Sequence, residues 1–467
     1  MPLGKAVHPD TDFFSQGFDS LSATFLKNRI IGSLRSSSDT QLQESASRIQ
    51  QSIIFFSPSI RKLARCVVNT VLPVEGPVIV DAKAHVENMI KKYSVGFEDS
   101  ARDSAATLGG YNGGDHAVVL TGSTGGIGSY LLASLLRRED VSVVYAFNRP
   151  STALSIQQRQ RSTFEDRGLD VTLLESEKLA YVETDTSHDG LGLDKGLYQK
   201  ICASVTTIIH NSRLVDLNLA LSSFESQVRG MRNLIDLAQS SPRHPRPRFM
   251  FTSSISSIAQ WDTAKGPIPE EVQYDAGVAV GFGYGESKYV SERILDNSKL
   301  PASSFRIGQV TGGHPRGAWS TTEWFPMIIK SSVSMGALPD AQAPGLTDWL
   351  PPYAISSAIL DVAFAEERPP IAVNLITGGL LPLVPFSEWL EKLDLSAKDA
   401  NEENINRIPA IKPIDYIYRM YGSGRKINAF ATGVAQRISP TMRELDPLSS
   451  ADAALWMDYW ASVGMFQ

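Results

Sequence analysis

The sequence predicts a doubly wound, parallel α/β sheet, preceded by a small helical unit and followed by a smaller, mainly helical lobe. Three observations carry this. Short β-branched apolar runs recur at spacings that fit crossover helices, a glycine turn joins the first run to a helix, and helical rhythm without strands is confined to the chain ends. With 467 residues, 42% hydrophobic and 20% charged, the chain is long enough for more than one core and has a globular composition.

Taken in order, residues 1–72 read as helical, because "SLSATFLKNRIIGSL" and "SASRIQQSIIFFSPSIRKLARCVVNTV" place Leu, Ile and Phe near helical spacing. Segment 73–115 holds an amphipathic helix, "DAKAHVENMIKKYSVGF", and then "SARDSAATLGGYNGG", whose small residues and glycines mark a linker. Between 116 and 360 lie "HAVVLTG", "VSVVYAFNR", "KLAYVETD", "VTTIIHN", "RFMFTSS" and "SSFRIGQVTG". Continuous apolar runs of this kind are strands buried on both faces of a parallel sheet. Over 361–467 the strand rhythm fades into proline-rich turns and helical stretches ending in "SSADAALWMDYWASVGMF", which gives the C-terminal lobe.

The formal net charge of -6 offers no long-range attraction to polyanions, so neither nucleic acid nor an acidic membrane surface is expected as a partner. Cys66 and Cys202 are the only two cysteines, too few for a disulfide framework or a thiolate metal site. No metal is expected, and a reducing, cytoplasmic compartment fits. The first residues lack an apolar signal core, and no apolar run approaches the ~18 residues that a membrane span needs.

In "VVLTGSTGGIGSYLLASLL" a strand runs into Gly122, Gly125 and Gly128 and a helix follows at once. Glycines there permit a tight turn, close approach of a pyrophosphate and packing of helix on strand, while the helix N-terminus faces the phosphates. The backbone from Gly122 through Ser123, Thr124, Gly125, Gly126 and Ile127 to Gly128 is therefore expected to hold a dinucleotide. The next strand ends in Asn148 and Arg149, where an NAD enzyme carries an acid for the ribose 2′-hydroxyl. A guanidinium suits a 2′-phosphate and favours NADP(H); the alternative is a solvated strand-end charge. Tyr284 and Lys288, at Y-x-x-x-K spacing in "GYGESKYVSERIL", share one helix face. A neighbouring ammonium favours the phenolate and makes tyrosine a usable proton donor and acceptor. About thirty residues upstream, "FTSSIS" ends a strand in hydroxyls, either ordinary turn residues or a serine that bonds a substrate carbonyl oxygen.

The order of these motifs fits an extended short-chain dehydrogenase/reductase. More closely, "TGSTGGIG", "IIHNSRLVDLNLALSSFESQVRGMRNLIDLA", "FTSSIS", "GYGESKYVSERIL" and "FRIGQVTGG" resemble the thioester reductase domains of carboxylic acid reductases and of α-aminoadipate-reductase-like nonribosomal enzymes, over roughly 115–380. The resemblance implies Tyr284 as proton donor, Lys288 as its partner and a holder of the nicotinamide ribose, and Ser254, rather than Ser253, as the strand-end hydroxyl. It further implies Arg149 and Arg159 on the 2′-phosphate, Asp185 near the adenine, and Asn211 and Ser212 as cofactor contacts, with Arg213 facing cofactor or substrate.

Upstream, "GFDSL" resembles the core of acyl and peptidyl carrier domains, in which the serine bears 4′-phosphopantetheine. The resemblance implies Ser20 as the attachment site, although Asp19 or Ser20 also reads as a plain helix N-cap. Nineteen residues before Ser20 leave little room for a carrier's preceding helix. The N-terminal unit is thus a partial carrier, either a remnant or one loaded by an adenylation or synthase enzyme in trans. The expected reaction is NADPH-dependent reduction of an acyl thioester, on this or a partner's carrier, to an aldehyde, with further reduction to the alcohol left open. Two other readings share the fold: a free-standing reductase or epimerase of a small soluble carbonyl compound, and a non-catalytic NADP(H)-sensing protein.

Overall fold

The computed structural model describes residues 8–10, 13, 20–46, 49, 53–57, 59–71, 82–97, 115–335 (except 213, 217–218 and 244), 349–376, 390, 393, 409–411 and 430–466 (except 447). Helices α1 (Ser20–Arg35), α2 (Thr40–Ser45), α3 (Ile53–Phe56) and α4 (Ile60–Val71) come first, then α5 (Ala82–Ser94). The Asp39 carboxylate starts α2 by accepting the Gln41 N–H at 2.8 Å.

The sheet is built from β1 (His116–Thr121), β2 (Val141–Asn148), β3 (Leu179–Glu183), β4 (Thr207–His210), β5 (Arg248–Ser254), β6 (Ala302–Ile307) and a later strand, Ala372–Leu375. Its order is β3-β2-β1-β4-β5-β6 with Ala372–Leu375 at the far edge, and every pair is parallel. The crossovers are α6 (Gly126–Arg137), α7 (Ile156–Arg167), α8 (Lys195–Ser204), α9 (Glu225–Ser240) and α10 (Gly283–Asn297). Beyond β6 follow β7 (Gln309–Val310), α11 (Trp324–Met335), β8 (Trp349–Leu350) and α12 (Pro352–Phe364), and the Ala372–Leu375 strand is then β9. Helices α13 (Gly433–Ile438), α14 (Pro440–Glu444) and α15 (Ser450–Ser462) close the chain.

Alternate residues on a strand face opposite sides, and the two cores follow that alternation. Val119, Ile208 and Phe249 pack with α9 and α10, whereas Val118, Ile209 and Met250 pack with α6 and α12. The strand order reverses between β1 and β4, where Thr121 Oγ1 and His210 Nδ1 lie 2.9 Å apart. That switch point at the carboxyl ends of the strands is where open α/β sheets bind ligands.

All six expected strands form. The boundary expected at 360 does not divide the fold. The division at 360 falls inside α12, and β9, placed by the sequence reading in the C-terminal lobe, pairs with β6 as the seventh strand of the sheet. Four residues, "AVNL", beside prolines give little periodic signal, and burial of all four on the sheet edge decides the matter. The helix α5, expected within a linker, packs Val86, Met89, Ile90 and Tyr93 into the core beside α9 and α10. The glycine-rich stretch after it lies outside the described residues, as does most of 377–429. In the C-terminal lobe, Trp456 and Trp460 of α15 close on Trp319 with ring centroids 5.1 and 5.6 Å away. Among the described residues no helix is long and apolar enough to cross a membrane.

Candidate active site

The glycine turn joins β1 to α6. Gly122 has φ +72°, a conformation that side chains rarely adopt, and a Cβ there would lie 2.9 Å from the Ser212 Cα. A Cβ on Gly128 would lie 2.0 Å from the Gly122 carbonyl oxygen, so α6 rests directly on the turn. Gly125 and Gly126 are exposed, and a Cβ on Gly126 would meet nothing within 4 Å. The N-terminus of α6 thus opens onto free space, as an anion site requires. Asn211 Nδ2 donates to the Gly122 carbonyl at 3.3 Å, and the Asn211 and Ser212 N–H groups donate to Thr121 Oγ1 at 3.0 and 2.9 Å.

Ser123 sits at the turn but faces inward. It is fully buried, its hydroxyl donates to Gln160 Oε1 and accepts from Asn148 Nδ2, both at 2.7 Å. The Thr124 hydroxyl likewise donates to Asn148 Oδ1 at 3.2 Å. These side chains brace the turn on β2 and α7, and only their backbone remains to meet a phosphate.

A cavity of about 430 Å³ opens beside the turn, across the strand ends, lined among others by Thr121, Asn148, Arg149, Asp185, His210 and Ser212. Arg149 is exposed at its rim. Arg159, one face of α7 away, donates from Nη2 to the Arg149 carbonyl at 2.9 Å and pairs with Glu183 Oε1 at 3.2 Å, while its buried Nε has no hydrogen-bond partner. Arg149 and Asp185 both line the cavity, and Arg159 is joined to the Arg149 backbone beside it. Burial pushes the Asp185 carboxyl upward, but the N–H and O–H donated by Ser187, with His188 and Arg149 nearby, outweigh it and hold the group below the usual carboxylate range. The exposed helix start, the cavity and the basic rim fit a dinucleotide.

The catalytic candidates gather on the other side of the switch point. Ser254 ends β5 opposite Ile307 of β6, and its hydroxyl oxygen accepts the Ser256 N–H at 3.2 Å, capping a short 3-10 turn at Ile255–Ile258. Ser253 points the other way, to Glu292. Tyr284 and Lys288 stand one turn apart on α10. The Lys288 ammonium donates to the Thr252 carbonyl at 2.5 Å and lies 5.6 Å from the Tyr284 ring centroid. Gly283 and Gly285 let the start of α10 close in: a Cβ on either would lie 2.3 Å from the Leu219 carbonyl oxygen or 2.4 Å from that of Ser256. Tyr284, Phe224 and Leu219 are continuous with a buried cluster of the N-terminal helices that includes Phe13, Ala23, Ile49, Ile54 and Leu63.

Ser20 begins α1, but its side chain, Gly17–Asp19 and Arg213 lie outside the described residues. No group of three or more His, Cys, Asp or Glu among the described residues is placed to hold a metal ion. Sequence reasoning missed Gln160 in the turn's brace and the buried Glu292 and Arg306 below Ser254. An arginine inside the apolar strand "SSFRIG" was the available signal, since a charge buried in a sheet needs a partner.

Comparison with known proteins bears on this geometry. Residues 120–352, from the end of β1 to the start of α12, match the NAD-binding family model described as Male sterility protein. These residues belong to that family. The chain accordingly carries a site for a nicotinamide dinucleotide. Adenylate-forming reductase Nps11 of Serpula lacrymans var. lacrymans (strain S7.9) is 48% identical over 99% of this chain and 46% of the relative. A carboxylic acid reductase of Neurospora crassa is 30% identical over 97% of this chain and 45% of its own length. The chain spans about half the length of the curated relatives it matches. Among solved structures, the terminal R domain of the myxalamid PKS-NRPS pathway has the same fold, with TM-score 0.67 and 23% identity over 79% of this chain and 98% of that one. A thiolation-reductase di-domain of an archaeal non-ribosomal peptide synthetase matches with TM-score 0.67 and 18% identity over 99% of this chain and 95% of its own.

Proposed function

We propose that this chain reduces an acyl thioester to an aldehyde at the expense of NADPH, and that the acyl group arrives on a 4′-phosphopantetheine arm attached to Ser20. The observation that carries the reading is the buried cluster shared by the N-terminal helices and Tyr284: Ala23, one turn along α1 from Ser20, belongs to the same cluster as the tyrosine. A tethered thioester beginning at that helix reaches the site within one molecule, which raises its effective concentration. The names of the relatives, adenylate-forming and carboxylic acid reductases, support the same chemistry. An adenylating enzyme or domain is the partner that loads the arm, and the same reductase accepts a partner's carrier where the tether reaches.

The bound cofactor supplies a hydride to the thioester carbonyl carbon. Lys288, fixed by the Thr252 carbonyl, holds the ribose and the Tyr284 hydroxyl in register. As charge develops on the carbonyl oxygen, Tyr284 and Ser254 donate hydrogen bonds to it, and Tyr284 passes its proton to give a hemithioacetal. Collapse breaks the C–S bond and moves the hydroxyl proton to the departing sulfur, releasing aldehyde and thiol, and Tyr284 regains its proton from solvent. Arg149 and Arg159 would hold the 2′-phosphate of the cofactor, Asp185 its adenosine end, and the turn from Gly122 to Gly128 its pyrophosphate.

The test follows NADPH absorbance over a panel of acyl-pantetheine and acyl-CoA thioesters, with wild type, Tyr284→Phe and, after treatment with a phosphopantetheinyl transferase, Ser20→Ala. Aldehyde formation that needs Tyr284, and pantetheine incorporation that needs Ser20, are the expected results. Turnover of free carbonyl compounds but of no thioester refutes the reductase reading; incorporation into Ser20→Ala refutes the attachment site.

A further inference from the structure

Below the candidate site lies a charged cluster to which the reaction above gives no part. Glu292 on α10 is 1% exposed and Arg306 on β6 is 0% exposed. Glu292 Oε1 accepts from the hydroxyls of Ser253 at 2.5 Å and Ser257 at 2.7 Å. Glu292 Oε2 accepts from Arg306 Nε at 3.1 Å and Nη2 at 2.8 Å. Arg306 also donates from Nη1 to the Pro269 carbonyl at 3.1 Å and from Nη2 to the Glu271 carbonyl at 3.0 Å.

A buried ion pair gives weak stability, because desolvation offsets the attraction, and apolar side chains of similar volume commonly serve as well or better. What apolar side chains cannot do is hold hydroxyls in place. Ser253 precedes Ser254 on β5, and Ser257 stands in the turn that the Ser254 hydroxyl caps. Glu292 is four residues beyond Lys288 and eight beyond Tyr284, hence on the same helix face. One carboxylate thus ties both flanks of Ser254 to the helix that bears the tyrosine and the lysine.

We propose that Glu292, held in place by Arg306, is a positioning residue for the reduction: it sets Ser254 against Tyr284 and Lys288. The proposal rests on the roles given to those three residues above. Without the clamp, the end of β5 and the helix α10 settle at their own distance, and a misplacement near 1 Å costs about 10²-fold in rate.

The experiment uses the full chain and compares wild type with Glu292→Leu/Arg306→Met, which replaces the pair by apolar groups, and with Ser253→Ala/Ser257→Ala, which keeps the pair and cuts its bonds to β5 and the turn. Thermal unfolding, NADPH affinity by fluorescence, and kcat and KM with a thioester that wild type reduces are measured for each. In the apolar double variant the hydroxyls of Ser253 and Ser257 and the carbonyls of Pro269 and Glu271 lose their partners, so a lower unfolding temperature is expected; near wild-type NADPH affinity and kcat lower by about 10²-fold are expected of the folded protein. The serine pair is expected to lose kcat similarly, which keeps the test decisive if the apolar variant does not fold. A folded variant of either kind with wild-type kcat overturns the positioning role while leaving the reductase intact. Absence of thioester turnover in wild type itself overturns the reading on which the proposal stands.

Discussion

Substituting Gly128 by alanine separates the two demands on the glycine turn. The added Cβ lies 2.0 Å from the Gly122 oxygen, 2.8 Å from the Gly122 carbonyl carbon and 2.9 Å from Asn211 Nδ2. Ordinary contact begins at 3.4 Å, so α6 must withdraw from the turn by about 1.4 Å, and backbone on the other side cannot rotate away. Overpacking of this kind costs about 1–3 kcal/mol. For a domain of this size that is a fall of roughly 2–10 °C in Tm. The same movement carries the α6 N–H groups out of hydrogen-bond range of a pyrophosphate. Each charge-assisted bond lost is worth about 1.5–3 kcal/mol, so Kd for NADPH rises at least roughly tenfold. Gly126→Ala, whose Cβ meets no protein atom within 4 Å, is the control for packing and is expected to keep the wild-type Tm. Differential scanning fluorimetry and NADPH fluorescence titration measure both. If Gly128→Ala keeps wild-type Tm and Kd, the packing argument for the turn is wrong.

Other positions give independent checks. Ser254→Ala removes an oxyanion donor and is expected to lower kcat by about 10²–10³-fold with thioester substrates. Ser253→Ala instead removes one of the donors to buried Glu292, and costs about 1–3 kcal/mol of stability, read by denaturant unfolding. Arg149→Ser is expected to lower kcat/KM for NADPH and leave that for NADH nearly unchanged; equal loss with both cofactors would remove the 2′-phosphate from its role. Glu323 supplies a pH prediction. Burial raises its carboxyl to about 7, against hydrogen bonds donated by Trp319 at 3.0 Å and by Gln309. Because the folded chain keeps the proton where the unfolded chain has lost it, this contribution is complete below the ordinary glutamate value of 4.5 and is lost as pH rises through about 7. The loss is at most about 3 kcal/mol. Glu323→Gln, which keeps an acceptor for the indole, is expected to flatten the fall in Tm between pH 5 and pH 8, and an unchanged slope speaks against it.

The sequence alone determined the order of parts. Six apolar runs, a glycine turn and a Y-x-x-x-K helix specify a Rossmann-type sheet and the sides of its crevice, because strand burial, the tight turn and helical spacing are local demands that write themselves into residue type. Local periodicity also found α5, but not that it packs into the core. Tertiary structure decided what depends on residues far apart in the chain. It recruited "AVNL" as the seventh strand, since an open sheet edge next to β6 rewards even four buried residues. It turned the Ser123 side chain inward to Gln160 and separated Ser253 from Ser254, because neighbouring strand residues face opposite sides and only the assembled layers reveal which side holds Glu292. It also brought Arg149 and Asp185, far apart in the chain, into the lining of a single cavity and tied Arg159 of α7 to the Arg149 carbonyl and to Glu183 of β3, an arrangement that spacing cannot encode.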